Sequence, residues 1–327
     1  MPPDGLQPRP AARRLGSRYY IGPAARRQGW PWKAGAGILR CMRVGLIANS
    51  TKPDAVSAAG HVLELLKSHR NCGALEVMEP AAPAQLEAFK PDILVIFGGD
   101  GTILQAARFI AGIHARIVGI NFGKLGYLAA FSMEEFGRNV DLILSGNAPE
   151  TQRMMLEGVI WEAGTSPGEP DRSVFSCPAL NDVALNAGLP FRMLDMRVSF
   201  NSQPTVSFRG DGLIVSTASG STGYNLSAGG PLISPELAAL VVTPICAHSL
   251  SFRPVVLSAD GVVRIDATRV NPGTMVSFDG QVNRPLAAGQ HIIVRRSAHA
   301  LRLVENPALS HWNMLARKLG WAQNPMA

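Results

Sequence analysis

The sequence has no apolar run approaching the roughly 20 residues that a membrane-spanning helix needs, so no such helix is expected. Cysteine is scarce. Cys41, Cys72, Cys177 and Cys246 lie far apart, form no CxxC pair and have no histidine at metal-ligand spacing. That distribution argues against a zinc site and for reduced, mostly buried thiols in a cytoplasmic protein. A basic body is missing as well, although the net charge is +7. Residues 1–41 hold eight arginines and lysines against Asp4 alone, and the remainder carries 23 residues of each sign. The folded part is therefore neutral, which removes nucleic acid as its partner. Beyond residue 41 there is no internal repeat and no low-complexity tract. What is present is 327 residues with 46% hydrophobic content, enough for two domains with substantial cores.

The most informative stretch reads ILVIFGGDGTILQAA, residues 93–107. Five apolar residues bounded by Pro91-Asp92 and by glycines predict a buried parallel strand. Ile103, Leu104, Ala107, Ile110 and Ala111 recur at helical spacing, so a helix follows. Between them Gly98, Gly99, Asp100, Gly101 and Thr102 form a turn able to offer backbone N–H groups to an anion at the positive end of that helix. Asp100 is the odd member. A carboxylate aimed at phosphates is repelled unless a cation, or a proton to abstract, is also there. The combination points to phosphoryl transfer rather than phosphate holding. The turn is not a P-loop, because no Gly-Lys-Ser/Thr follows, and it lacks the dinucleotide spacing. An equally weighted local reading is a tight turn in which Asp100 or Thr102 caps the helix.

Residues 1–41, rich in Pro, Arg, Gly and Ala, are expected to be disordered. They read as sequence upstream of a true start at Met42, as a transit peptide, or as a basic tail. From residue 43 an alternating pattern begins. Strands are predicted at 43–48, 75–78, 93–97 and 116–120, with helices at 56–66, 85–89, after the glycine turn, and at 133–144. Alternation of this kind predicts a Rossmann-like parallel sheet with ligands at the carboxyl ends of its strands. The glycine turn and NFGKLGYL at 121–128 both fall there.

Near Gly146-Asn147-Ala148-Pro149 the pattern changes to short strands and turns, predicting a β-rich second domain of sandwich type. Strands are expected at 154–161, 179–186, 194–200, 213–217, 254–257, 262–266, 275–278, 291–295 and 301–304, with a polar loop over 163–173. Residues 310–321 are helix-like and are expected to dock back on the first domain. The domain boundaries that follow are 1–41, 42–149, 150–305 and 306–327.

A second chemical stretch, RGDGLIVSTASGSTGYNLSAGGP at 209–231, is dense in Gly, Ser and Thr yet contains Leu213-Ile214-Val215, Tyr224 and Leu226. A loop packed around a ligand explains that mixture better than a flexible linker. Taken alone, Tyr224 reads more readily as a core ring. Asn181-Asp182, set in a strand pattern, needs a polar partner, from a ligand or from a turn or strand edge. His248 and Ser249 read as turn residues rather than parts of a triad.

The ordered series GGDGT (98–102), NFGKLGYL (121–128), LNDV (180–183), DGLIVSTASGSTGYNLSAGGP (211–231), TPICAHSLSFRPVVL (243–257) and KLGW (318–321) resembles NAD kinases over nearly everything from residue 42 on. Lipid kinases and phosphofructokinases share only the first motif. The resemblance implies that ATP, with Mg²⁺ or another divalent cation, phosphorylates the 2′-hydroxyl of the adenosine ribose of NAD to give NADP. It implies Asp100 as the base, with Gly99, Gly101 and Thr102 shaping the phosphate site. Asn181 and Asp182 then bind the NAD adenosine beside Phe122, and Ser219, Thr222, Gly223, Tyr224 and Ser227 surround adenine and ribose. Arg209 and Asp211 match residues that reach the nicotinamide side from a neighbouring subunit of a homodimer or homotetramer. Asp279 of FDGQ matches a second acid near the reacting phosphates. No metal ligand is assigned.

Two positions depart from the pattern. ASGSTGY stands where many relatives have PTGSTAY, which loosens the loop by a fraction of to about 1 kcal/mol. The Asn-Asp pair replaces Asn-Glu, one methylene shorter. Two rival functions are a non-catalytic NAD(P)-binding sensor, which would bind NAD without forming NADP, and a lipid kinase, which lacks a recognisable lipid pocket in the second half.

Overall fold

The computed structural model describes residues 41–49, 51–79, 83–123, 126–164, 169–201, 203–249 and 251–321. The basic extension, apart from Cys41, and Lys124-Leu125 of the NFGKLGYL motif lie outside the described residues.

Four parallel strands, β1 (Met42–Ala48), β2 (Cys72–Met78), β3 (Ile93–Phe97) and β4 (Arg116–Ile120), lie in the order β2-β1-β3-β4. Their connections contain α1 (Pro53–Lys67), α2 (Pro83–Phe89) and α3 (Asp100–Ile110), and α4 (Met133–Leu144) follows β4. The continuous apolar run of β3 is explained by burial on both faces. Ile93, Val95 and Phe97 pack with Ala58 and Val62 of α1 and Phe136 and Val140 of α4. Leu94 and Ile96 pack with Leu86 of α2 and Ile103 and Ala107 of α3. Two helices start where local chemistry directs. Pro53 takes an early position in α1, where its missing N–H costs nothing. Ser132 and Glu135 form a reciprocal capping box on α4, at 3.2 and 2.8 Å.

The rest is β-rich: β5 (Glu150–Glu162), β6 (Arg172–Ala179), β7 (Asp182–Asn186), β8 (Leu194–Phe200), β9 (Val206–Gly210), β10 (Gly212–Thr217), β11 (Ala239–Ile245), β12 (Val255–Ser258), β13 (Val262–Arg269), β14 (Met275–Phe278), β15 (Val282–Pro285) and β16 (Gln290–Val304). An antiparallel sheet ordered β12-β11-β10-β7-β14-β15 faces the other sheet. Val183, Leu213, Val242 and Phe278 from this sheet share a core with Leu156, Ile160, Leu194 and Val263 from the other. The α/β fold followed by a sandwich is thus as expected.

The parallel sheet, however, does not end at β4. Arg302 and Leu303 of β16 pair in parallel with Arg116 and Ile117, and β16 also pairs antiparallel with β5 and β13. One sheet therefore runs through both halves.

Several segments differ from expectation. The two strands expected at 291–295 and 301–304 are one strand with an irregularity between Arg296 and Ala300. The strand expected over 179–186 is broken at Leu180-Asn181, because the amides there turn toward the Asp279 carboxylate. The polar loop expected to end at 173 ends sooner, at the start of β6. The sequence reading also passed over β6, β9, β11 and β15. Proline disguises three of these four. Pro178 lies in β6, which pairs with β5 alone. Pro244 lies in β11 beyond Val242, where pairing with β12 stops, so its missing N–H faces no partner strand. Pro285 closes β15.

After a short helix, α5 (Tyr224–Ser227), and the remaining strands, α6 (His311–Lys318) starts at a Ser310 cap and buries Met314 and Leu315. It returns to the first half as expected. Lys318 Nζ lies 4.6 Å from the Tyr127 ring centroid, and just upstream of the helix Asn306 donates to the Ala130 carbonyl at 3.0 Å.

Candidate active site

Strand β3 delivers its chain to the glycine turn at the sheet's carboxyl edge. Gly98 has φ +152° and its amide donates to the Ile120 carbonyl at 2.9 Å, which ties the turn to the end of β4. A Cβ at Gly98 would stand 2.3 Å from Thr102 Oγ1, so only glycine fits. Gly99 is the N-cap of α3, Asp100 its first residue, and buried Thr102 donates its amide to the Gly99 carbonyl at 2.9 Å.

The Asp100 carboxylate does not cap its own helix. Oδ2 accepts from the Tyr127 amide at 2.8 Å, and Oδ1 accepts from Leu128 and Ala129 at 2.9 and 3.0 Å. A carboxylate offers about four acceptor positions, so three are engaged and one on Oδ2 stays available. Gly126 makes the approach possible, since a Cβ there would lie 2.0 Å from Asp100 Oδ1. Burial, then the Asp100 charge, raise the Tyr127 hydroxyl above the ordinary tyrosine range.

The Ser/Thr loop meets this segment. Ser219 and Thr222 face Tyr127, Leu128, Arg153 and His311 across a gap of about 10 Å³. The loop therefore meets two of the residues whose amides hold Asp100. Two aromatic rings of the predicted set are partly exposed. Phe122 is 39% exposed with its ring 6.4 Å from that of Phe97, and Tyr224 is 42% exposed with its hydroxyl donating to Asn186 Oδ1 at 3.0 Å.

Asn181 is wrapped by the loop. Its carbonyl accepts from the Thr217 amide at 2.8 Å and from Ser216 Oγ at 3.2 Å, and a Cβ on Gly220 would collide with that oxygen at 2.2 Å. Gly223 brings its backbone close to the Asn181 side-chain amide. Asp182 follows, buried, its carboxyl pushed up to about 7 by desolvation and then by neighbouring Asp279. Ser227, at the end of α5, is exposed.

Asp279 has φ +52° and accepts three amides, from Leu180, Asn181 and Asp182 at 3.0, 2.7 and 3.2 Å. Arg108 of α3 lies 3.9 Å from it. Burial raises this carboxyl against the lowering effect of its amide bonds and Arg108. Its geometry fixes the LNDV turn against α3.

Arg209 and Asp211 lie toward the other end of β10, on the side of Tyr224. Burial, then the charges of Asp182, Cys246 and Asp211, raise the Tyr224 hydroxyl, and its partner Asn186 pairs with Gly212. At about 3.3 Å per residue, the six residues of β10 separate Asp211 from Thr217 by about 20 Å. Arg209 pairs with Asp195 at 2.5 Å and is largely exposed. His248 is exposed too, and Ser249 Oγ pairs with Ser251 Oγ at 2.8 Å, so no triad forms.

Sequence reasoning passed over Gly126, Arg108, Gln281 and Asn225. Asn225, buried, bonds Ser221 and Pro231 carbonyls at 3.1 and 3.0 Å and accepts from Thr243 Oγ1 at 2.6 Å, pinning the Ser/Thr loop. Gly126 had a local signal, a glycine before an aromatic in a quoted motif. Gln281 reaches Arg108 and Gly101 across 173 and 180 residues, which no local pattern signals.

Two family models match the chain: the ATP-NAD kinase N-terminal domain over residues 79–148 and the C-terminal domain over 180–306. The NAD kinase of Syntrophotalea carbinolica is 36% identical over 289 residues, covering 86% of this chain and 99% of that one. That of Magnetococcus marinus is 36% identical over 291 residues, covering 86% and 94%. Among solved structures, an NAD kinase from Archaeoglobus fulgidus in complex with ATP is 26% identical with a TM-score of 0.63, covering 81% of this chain and 94% of that one. Yeast NADH kinase complexed with NADH shares the fold at 21% identity, with a TM-score of 0.74 over 86% and 89% of the two chains.

Proposed function

The chain belongs to the NAD kinase family and phosphorylates NAD to NADP with ATP, and we propose that it does so with Asp100 as the base. One observation carries this reading: the acid at the start of α3 is held by the amides of 127–129, and two of those residues, Tyr127 and Leu128, line the same seam as Ser219 and Thr222. The three amides orient the carboxylate and leave one Oδ2 position to accept the ribose 2′-hydroxyl. As that proton passes to Asp100, the 2′-oxygen bonds to the terminal phosphorus and the bond to the leaving diphosphate breaks. Gly99, Gly101 and Thr102 present the first turn of α3 to the phosphates.

Asn181 and Asp182, with Phe122, Ser219, Thr222, Gly223, Tyr224 and Ser227, bind the adenosine of NAD. Asp279 supports that set by holding the 180–182 amides. Residues 42–149 thus supply the acid and phosphate site, 150–305 the nucleoside site, and 306–327 the return segment. Arg209 and Asp211, toward the end of β10 away from Thr217, serve a neighbouring subunit's nicotinamide in a homodimer or homotetramer. Among the described residues no group of three His, Cys, Asp or Glu side chains converges. A resident metal site does not fit that donor set, so Mg²⁺ arrives on the triphosphate as part of the substrate. No helix among the described residues is long and apolar enough to cross a membrane, which is compatible with a cytoplasmic enzyme.

The test is to incubate purified protein with NAD, Mg²⁺ and either ATP or polyphosphate and to measure NADP. NADP formation with at least one donor is expected. NAD binding without NADP would instead favour a sensor.

A further inference from the structure

The FDGQ turn does more than bury Asp279. Gln281, at its end, donates from Nε2 to the Gly101 carbonyl at 2.8 Å, and its Oε1 accepts from Arg108 Nη2 at 2.7 Å. Arg108 is fixed in turn, by Nη1 to the Leu104 carbonyl at 3.2 Å and by Asp279 at 3.9 Å. A primary amide has a donating and an accepting end. Each end of Gln281 meets its complement, so rotation of the side chain would lose both bonds. The carbonyl it holds belongs to the planar Gly101–Thr102 peptide, whose N–H on the opposite side bonds the Gly99 carbonyl. This is the second peptide after the acid. Both Gln281 and Gly101 are exposed, so the contact lies at the rim rather than in a core.

We propose that Gln281 is a positioning residue for the phosphoryl transfer, holding the first turn of α3 so that Asp100 and the turn's amides stay aligned toward the incoming phosphate donor. The proposal rests on Asp100 as the base. Its chemistry is specific: an N–H must face the Gly101 carbonyl, and an acceptor must face Arg108.

Two variants separate these contacts. Gln281→Ala loses both. Gln281→Glu keeps an acceptor for Arg108 but turns an oxygen toward the Gly101 carbonyl. Each should lower kcat about tenfold, since small misplacements of reacting groups are costly, while KM for NAD changes less than about twofold and the melting temperature is unchanged. Parental kcat in both variants would overturn the proposal. Parental kcat in Gln281→Glu alone would also overturn it, because the Arg108 contact would then suffice. So would a loss of kcat that merely tracks loss of melting temperature. Asp100→Asn is measured alongside. If it turns over at the parental rate, the base assignment fails and this proposal with it. An inactive Asp100→Asn beside fully active Gln281 variants overturns the role of Gln281 alone.

Discussion

Asp100 and Asp279 are bonded in the same way and differ in what encloses them. Each carboxylate accepts three consecutive backbone N–H groups, from 127–129 in one case and 180–182 in the other. Asp100 is partly exposed at the rim, with one acceptor position free. The Asp279 side chain has no exposed surface and faces Arg108, which is 10% exposed. Identical local bonding thus leaves one carboxylate open to solvent and seals the other. Enclosure, rather than residue type or hydrogen-bond count, separates the two, and on the proposed mechanism it is what suits Asp100 to react.

The comparison breaks most directly at Asp100. Asp100→Asn should cut turnover by about 10²- to 10⁴-fold, the usual worth of a positioned acid or base, with NAD binding largely intact by calorimetry. Unchanged turnover would remove Asp100 from the mechanism. Gly126→Ala tests the same carboxylate from the opposite side. Its Cβ would occupy the place of Oδ1, and displacing the acid by about 1 Å should cost on the order of 10²-fold in kcat. A fully active Gly126→Ala enzyme would show that the amide grip is dispensable.

Asp279→Ala should act on stability. Removing the carboxylate strands three amides and a largely desolvated arginine, a loss of about 3–5 kcal/mol read by urea unfolding. A stable variant with selective loss of kcat would instead move Asp279 among the reacting groups.

The smallest effect concerns Asp182, whose carboxyl sits near 7 against an ordinary 3.8. A raised folded-state value means that stability from this group is fully present below about pH 4 and lost as pH rises through 7. Asp182→Asn should therefore gain on the parent between pH 5 and pH 8, by about 3 kcal/mol. Parallel melting curves across that range would place Asp182 in water.

Much of this was legible in residue order. The run 93–97, the glycines after it and the helical spacing of 103–111 defined β3, the turn and α3 through local sterics and periodicity alone. Strand 194–200 followed from strict alternation. The break at Leu180-Asn181 was not legible, because its cause is a carboxylate 97 to 99 residues away. β11 was hidden because a proline is tolerable only where a neighbouring strand stops, and that is a fact about β12. For the site, the sequence nominated Asp100 and the Ser/Thr loop. It left open whether Asp100 capped its helix, and the structure instead turns its carboxylate to 127–129.

By itself the chain's order determined which residues could do chemistry and which local elements carry them, since propensity, periodicity and the steric freedom of glycine act over a few positions. Only the tertiary structure decided which acid remains open and which is sealed. It also decided that β16 joins both halves in one sheet, and that Gln281 reaches both the glycine turn and Arg108. Burial and hydrogen-bond geometry depend on groups brought together from far along the chain, and sequence spacing does not encode those distances.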